Sequence, residues 1–193
     1  MNMKGILSRA LAVGMALGLM LPASLPAMAA STTQNYGVNV SNEKLYLTKD
    51  GRNAKTFTLD NTEMRLMLST KGNVLIGFTP KSTGKTTNTS IGNGDEAVVT
   101  GTMDTLVVAA SLPSTKTVTI SGSIRDLTIE SAAKVILGKD AAITNLNVTN
   151  PNAVVTGQEG NQVKKVSTVQ GAKVTGVNTV TSFSNLTQQQ ASQ

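Results

Sequence analysis

The 193-residue sequence contains no cysteine, no histidine and no tryptophan. Without cysteine the chain has no disulfide, no thiolate metal ligand and no cysteine nucleophile. Without histidine it lacks the commonest general base, the central residue of a Ser-His-Asp triad and the usual ligand of zinc and haem. Most hydrolase mechanisms are thereby excluded, and we predict a non-enzymatic protein with no cofactor and no metal.

Aromatic residues and net charge are also scarce. Aromatics make up 3% of the chain, so the core must consist of Val, Ile, Leu, Ala and Met. Without Lys4 and Arg9, which lie in an N-terminal targeting segment, 15 basic side chains remain against 11 acidic ones. Because they are scattered and have no aromatic neighbours to stack bases, we expect no nucleic-acid partner. The mild positive charge allows weak attraction to acidic cell-wall polysaccharides, although it equally fits an ordinary solvated surface.

Residues 1 to 30 have the pattern of a cleavable signal peptide. A short basic start is followed by an uncharged stretch, Ala10 to Leu21, which is shorter than the ~20 residues of a membrane span. Two prolines follow, and Ala27-Met28-Ala29 supplies the small-x-small pattern of a cleavage site, near Ala29 or Ala30. We therefore expect a bacterial protein that is secreted or held at the cell surface, without a stable membrane span after cleavage.

The most informative feature is a repeat of about 20 residues downstream of residue 95. Each copy reads apolar-x-x-apolar-x-apolar, with Thr or Ser allowed at the end. The copies are Met103, Leu106 and Val108; Ile124, Leu127 and Ile129; Ile143, Leu146 and Val148; Val163, Val166 and Thr168; and, more weakly, Val177, Val180 and Ser182. A β-branched run entering a glycine precedes each copy, the glycines being Gly101, Gly122, Gly138, Gly157 and Gly176.

These elements have the period-two, β-branched character of short strands, separated by turn-forming residues. Stacking such rungs buries an aliphatic core that no single rung could bury, as in a solenoid. The position before the central apolar residue is Thr105, Asp126, Asn145 and Lys165 in successive copies. We expect Asp126 and Asn145 to begin a polar stack at a corner of the coil.

In stretches such as Lys116 to Ile129 the repeat resembles the right-handed parallel β-helix repeats of bacterial exported and surface proteins. The resemblance spans roughly residues 95 to 183. It implies an all-β fold, a single-stranded right-handed parallel β-helix forming a short solenoid of about five coils. Two alternatives stay open, a left-handed β-helix and an antiparallel β-sandwich.

The rest of the chain differs from the repeat. Residues 31 to 80 predict strands at 44–48, 56–59, 63–68 and 74–78, which form either an N-terminal β cap over the open end of the solenoid or its first coils. Residues 81 to 94 predict a flexible loop, residues 95 to 186 the solenoid repeat, and residues 187 to 193 a disordered polar tail.

Five charged residues of the repeat are candidate contacts for carbohydrate or ions: Asp104, Arg125, Asp126, Glu130 and Asp140. The resemblance implies a family that includes polysaccharide lyases and hydrolases, whose sites need stacked aspartates, or acidic calcium ligands with a basic proton acceptor. Adjacent strand residues face opposite sides, however, and isolated charges between apolar positions are usually solvated. We therefore predict no catalytic, cofactor-binding or metal-binding residue.

The sequence thus predicts an exported, non-enzymatic β-solenoid that acts as a structural or adhesive module at the bacterial cell surface. The alternative is a polysaccharide-binding or polysaccharide-cleaving β-helix protein. The expected partner is a cell-wall or extracellular polysaccharide, or another copy of the chain at an open solenoid end. Carboxylates that converge with Arg125 in a groove would favour the alternative, a protein that cleaves or binds polysaccharide, and would remove the main support for a structural module. Dispersed charges would favour the structural module.

Overall fold

The computed structural model describes residues 36–49, 52–59, 63–80, 83–91 and 95–184. The predicted signal peptide and polar tail lie outside these ranges. Within them the chain is all β, and no helix could cross a membrane. The strands are β1 (Tyr36–Ser41), β2 (Lys44–Lys49), β3 (Arg52–Thr58), β4 (Glu63–Leu68), β5 (Val74–Phe78), β6 (Thr87–Ser90), β7 (Glu96–Val108), β8 (Thr117–Ile129), β9 (Lys134–Val148), β10 (Val154–Gly157), β11 (Gln162–Thr168), β12 (Lys173–Thr175) and β13 (Thr179–Ser184).

Parallel pairing stacks the strands of the repeat into a β-solenoid. Strands β7, β8 and β9 lie side by side and take part in two ladders each. One ladder continues from them to β1 at one end and to β10 and β12 at the other. The second continues to β4 at one end and to β11 and β13 at the other. The result is about four turns rather than five, and the parallel pairing excludes the antiparallel sandwich. Right-handed winding stays a prediction.

The register confirms the alignment of the first four repeat copies. Leu106 pairs with Leu127, which pairs with Leu146, which pairs with Val166. These four side chains are at most 1% exposed, and each burial of this kind stabilises the fold by roughly 1.5–3 kcal/mol. The inward positions of consecutive turns therefore form one continuous aliphatic core.

The weak fifth copy was wrongly aligned. The structure pairs Thr179 with Val163 and Phe183 with Val166, with a register shift between them. Val177, which we placed opposite Val163, precedes β13 and packs partly buried against the core. An apolar residue in the connecting segment was thus mistaken for the first strand position.

Gly101 and Gly122 lie at the corner between the two ladders, where the backbone requires glycine. Both have positive φ, at 102° and 97°, which side chains with a Cβ rarely adopt. A Cβ on Gly122 would collide with the carbonyl oxygen of Gly101. Gly138 does not occupy the same corner, because the register shifts between β8 and β9 and places Ala141 opposite Gly122.

The segment before the repeat contributes both to the ladders and to two antiparallel additions. Strands β1 and β4 each pair in parallel with β7 and so extend the two ladders. Strands β2 and β3 add to β1 in antiparallel fashion, while β5 and β6 add to β4. Strand β6 lies within residues 81–94, which we expected to form a loop.

Candidate functional site

Three of the five candidate residues meet on the outer surface. Nε of Arg125 donates a hydrogen bond of 2.8 Å to Oδ2 of Asp126, and Nη1 of Arg125 lies 3.6 Å from Oδ1 of Asp104 on the neighbouring turn. The three side chains are 40–58% exposed. This ion cluster, Asp104–Arg125–Asp126, brings two carboxylates together at Arg125.

The expectation that Arg125 and Asp126 face opposite sides was wrong. Both side chains lie outside the core, between the buried residues Ile124 and Leu127. Strict alternation is interrupted at this point, where the pairing of β8 with both neighbouring strands skips Arg125. The apolar-x-x-apolar spacing already implied two successive outward positions.

Hydrogen bonds within and beside the ion cluster favour the charged forms of Arg125 and Asp126. The hydrogen bond from Arg125 and a second one from Asn145 lower the pKa of Asp126 below its ordinary value. The hydrogen bond to Asp126 and the nearby charge of Asp104 raise the pKa of Arg125. Each shift favours the charged form of its group.

The other two candidates lie apart from this cluster. Glu130 accepts a hydrogen bond of 2.8 Å from Arg65, which also contacts Glu63 at 3.0 Å. Asp140 is exposed on β9 and forms no ion pair with any described residue. Across the described ranges no three acidic side chains are grouped as metal ligands.

An open groove of about 460 Å³ lies on the outer surface beside the ion cluster. One wall consists of Thr102, Ser123, Ala142 and Gln162, and the other of Asp104, Arg125, Thr144 and Lys164. Met103, Ile124 and Ile143 form the floor and are at most 6% exposed. We call this feature the axial groove, because each wall follows equivalent positions of successive turns along the solenoid axis.

The register explains why the axial groove is continuous. Thr102 pairs with Ser123, Ser123 with Ala142 and Ala142 with Gln162, so one residue of each turn contributes to this wall. All four are exposed, since residues on either side of an inward strand position point outward. Adjacent strands are about 4.8 Å apart, which sets the spacing of the wall residues.

A smaller cavity of about 190 Å³ continues the axial groove toward the first turn. It shares Thr102 and Asp104 with the groove and adds Asn42 and Glu43 from the turn between β1 and β2. These two turn residues have positive φ, at 48° and 57°. The groove therefore extends beyond the repeat to the first antiparallel strand pair.

The predicted polar stack is present on the next outward row of residues, Asp126, Asn145 and Lys165, which we call the polar row. Asp126 pairs with Asn145, which pairs with Lys165, and Nδ2 of Asn145 donates a hydrogen bond of 2.7 Å to Asp126. These residues line a second depression of about 270 Å³ together with Thr128 and Asn147. The polar row and the axial groove share the ion cluster as their common border.

Most of the groove residues were missed by the reasoning from sequence. Only their position in the repeat could have identified them, because the wall residues stand immediately before and after the first apolar position of each copy. Those positions hold unlike residues, such as Ala142 and Gln162 or Asp104 and Thr144, so no chemical pattern marks them.

The chain matches no protein-family model, no curated protein and no solved structure. The functional argument therefore rests on the axial groove and on the charges beside it.

Proposed function

We propose that the protein is an exported, non-enzymatic β-solenoid that acts as an adhesive module at the bacterial cell surface by binding an extended polysaccharide in the axial groove. The observation that carries this proposal is the construction of the groove from equivalent positions of four successive turns. The predicted signal peptide and the resemblance to exported β-helix repeats supply its cellular setting.

The groove suits a polymer better than a compact ligand. Its contacts recur about every 4.8 Å along the solenoid axis, and a linear glycan likewise presents the same hydroxyl groups at every sugar. It is open along its length, whereas sites for small molecules bury most of the ligand surface. A chain laid along the axis would meet one pair of wall residues per turn.

The wall chemistry suits hydroxyl groups. The carboxylate of Asp104 accepts hydrogen bonds, the guanidinium of Arg125 donates them, and the amide of Gln162 does both. Hydroxyls of Thr102 and Ser123 are also exposed along the groove. The aliphatic floor between the walls offers contact to the C–H faces of sugar rings.

The pKa shifts of Asp126 and Arg125 are not those of a proton donor and a basic proton acceptor. A carboxyl group that protonates a leaving group needs a raised pKa, whereas the hydrogen bonds from Arg125 and Asn145 lower the pKa of Asp126. A basic proton acceptor needs a lowered pKa, whereas the pKa of Arg125 is raised by Asp126 and Asp104. Both shifts are compatible with a role of the cluster in binding.

Affinity for oligosaccharides of increasing length tests the proposal. The purified exported protein is titrated calorimetrically with di-, tetra- and hexasaccharides of a neutral β-1,4-glucan and of polygalacturonate. In at least one series we expect affinity to rise up to about four sugars and then level off, since four turns line the groove. Absence of binding in both series would overturn the proposal.

A groove-filling variant locates the binding site. Ala142→Phe places a ring at an exposed groove position of β9, and Lys134→Phe places the same ring at an exposed position of β9 outside the groove. We expect Ala142→Phe to abolish binding and Lys134→Phe to bind like the native protein. Equal binding by both variants would show that the groove is not the site.

A further inference from the structure

The ladder formed by β1, β7, β8, β9, β10 and β12 presents a row of β-branched side chains to solvent. Five successive strands contribute one residue each to this row, namely Val98, Thr119, Ile136, Thr156 and Thr175. Val98 is 40% exposed, and the other four are partly exposed. On the other ladder the polar row consists instead of charged and amide side chains. The aliphatic surface is thus concentrated on one face of the solenoid.

A second outward row borders the first and carries charges of opposite sign toward its two ends. It lies two residues earlier in each strand and consists of Glu96, Thr117, Lys134, Val154 and Lys173. Its three charged side chains are exposed, and none forms an ion pair with another residue in the described part of the chain. We call the two rows together the β-branched face.

We propose that the β-branched face binds a second copy of this chain, with the axes of the two solenoids antiparallel. A two-fold axis that runs along β8, between the two facing sheets, places β7 of one copy opposite β9 of its partner. Glu96 then faces the partner's Lys134, and Val98 faces the partner's Ile136. Because such an interface is isologous, each of these contacts is made twice.

The charges of the β-branched face favour this arrangement over its alternatives. Parallel axes would put equivalent strands at the same level, so Glu96 would have no lysine of the partner at its own level. A two-fold axis along β9 would place the two Lys134 side chains opposite each other. Like charges in an interface disfavour the complex that brings them together. Opposition of Glu96 and Lys134 requires antiparallel axes centred on β8.

The size of the β-branched face indicates a weak dimer. Five strands about 4.8 Å apart and four residues of about 3.3 Å each give a footprint of roughly 300 Å² per copy. Standard protein interfaces bury about 800 Å² per partner. The axial groove lies beyond the corner glycines Gly101 and Gly122 and stays outside the interface. Dimerisation is therefore independent of the proposed glycan binding.

Sedimentation equilibrium at low salt tests the proposal, using the exported protein at concentrations up to about 1 mM, where weak complexes form. We expect a monomer–dimer equilibrium within this range. Glu96→Lys and Lys134→Glu should each weaken dimerisation by at least about tenfold, because each places like charges together twice. The combined variant, Glu96→Lys with Lys134→Glu, should recover the native affinity to within about threefold.

Lys165→Glu is the matched control, because it reverses an exposed lysine on the other ladder, and it should dimerise like the native protein. Urea unfolding verifies that each variant is folded. A native protein that stays monomeric, single variants that dimerise like the native protein, or a combined variant that does not recover would each overturn the proposal. Calorimetric glycan titration of the single variants should match the native protein, so failure of dimerisation and failure of glycan binding are separable.

Discussion

Nδ2 of Asn145 donates a hydrogen bond of 2.7 Å to Oδ1 of Asp126, its partner on the neighbouring turn. The same carboxylate accepts the hydrogen bond from Arg125. One acidic side chain thus links the polar row, which connects successive turns, to the ion cluster at the edge of the axial groove. Both contacts are stronger when the carboxylate is ionised, which makes this part of the surface sensitive to acid.

The Asp126 contacts predict a loss of stability in acid. A carboxyl group whose pKa is lower in the folded than in the unfolded state stabilises the fold above its unfolded pKa. That stability disappears as pH falls from the ordinary value of 3.8 through the lowered pKa. Urea unfolding at about pH 6 and about pH 2.5 should show a smaller acid-induced loss in Asp126→Asn than in the native protein.

The difference will be small, because the Asp126 side chain is 40% exposed and solvent screens its interactions. Asp140→Asn serves as the control, and it should lose as much stability in acid as the native protein. Identical acid sensitivity in all three proteins would show that the Asp126 contacts do not stabilise the fold.

The central leucine stack predicts a large effect of Leu127→Ala. Leu127 lies between Leu106 and Leu146 and is fully buried. The substitution should reduce the free energy of unfolding by about 2–5 kcal/mol through lost burial and a residual cavity. Thr128→Ala at the next, outward position should cost less than about 1 kcal/mol. Urea unfolding curves compare the two, and equal costs would contradict the assigned register.

The corner glycine predicts a steric penalty for Gly122→Ala. The new methyl group would have to adopt a φ near 97° and would collide with the carbonyl of Gly101. Gly72→Ala is the matched control, because Gly72 has φ 79° but has no atom within 4 Å of an added Cβ. Strain in φ alone costs about 1–2 kcal/mol, and the collision should add about 1–3 kcal/mol. Thermal unfolding that ranks the two variants equally would show that the turns are not so closely stacked.

The buried amide of Asn161 predicts a pH-dependent defect in Asn161→Asp. Asn161 is 1% exposed, and its Nδ2 donates to the carbonyls of Gln158 and Gly176 at 2.6 and 2.8 Å. In aspartate, the oxygen that replaces Nδ2 would face both carbonyl oxygens and could donate to neither, while Oδ1 would keep the hydrogen bond from the backbone amide of Asn178. We expect a loss of about 2–5 kcal/mol at neutral pH.

This loss should shrink in acid, because burial raises the pKa of the introduced carboxyl group. A raised pKa gives stability that is present below the unfolded value and disappears as pH rises. The exposed Asn152→Asp variant controls for the change in charge. Guanidinium unfolding between about pH 4 and pH 7 should therefore show a pH-dependent difference for Asn161→Asp alone.

The fold was largely predictable because burial imposes a repeating pattern on the sequence. Each inward position, such as Leu106, Leu127 or Leu146, requires an aliphatic residue in every turn, so the alignment of the turns can be derived from these residues. The pattern failed at Val177, where an apolar residue outside the strand is also partly buried. The spacing of apolar residues indicates which residues are buried, but it does not show whether a buried residue lies in a strand or in a connecting segment.

The candidate site was predictable only in part. Asp104, Arg125 and Asp126 were identified as charged residues in the repeat, yet their convergence depends on Arg125 and Asp126 both lying outside the core. Glu130 is separated from them by its pairing with Arg65, which lies far away in the sequence. The positions that form the groove walls share no residue type in the sequence, because exposed positions of a ladder tolerate many residue types.

Backbone amide chemical shifts measured while cellohexaose is added test most directly whether the axial groove binds a glycan. The account predicts that the perturbed amides cluster at groove residues of consecutive turns, namely Ser123, Ile124, Ala142, Thr144 and Gln162. The outward face formed by Val98, Thr119 and Ile136, which lies on the other ladder, should remain unchanged. Perturbations confined to that outward face, or none anywhere at saturating glycan, would contradict the account.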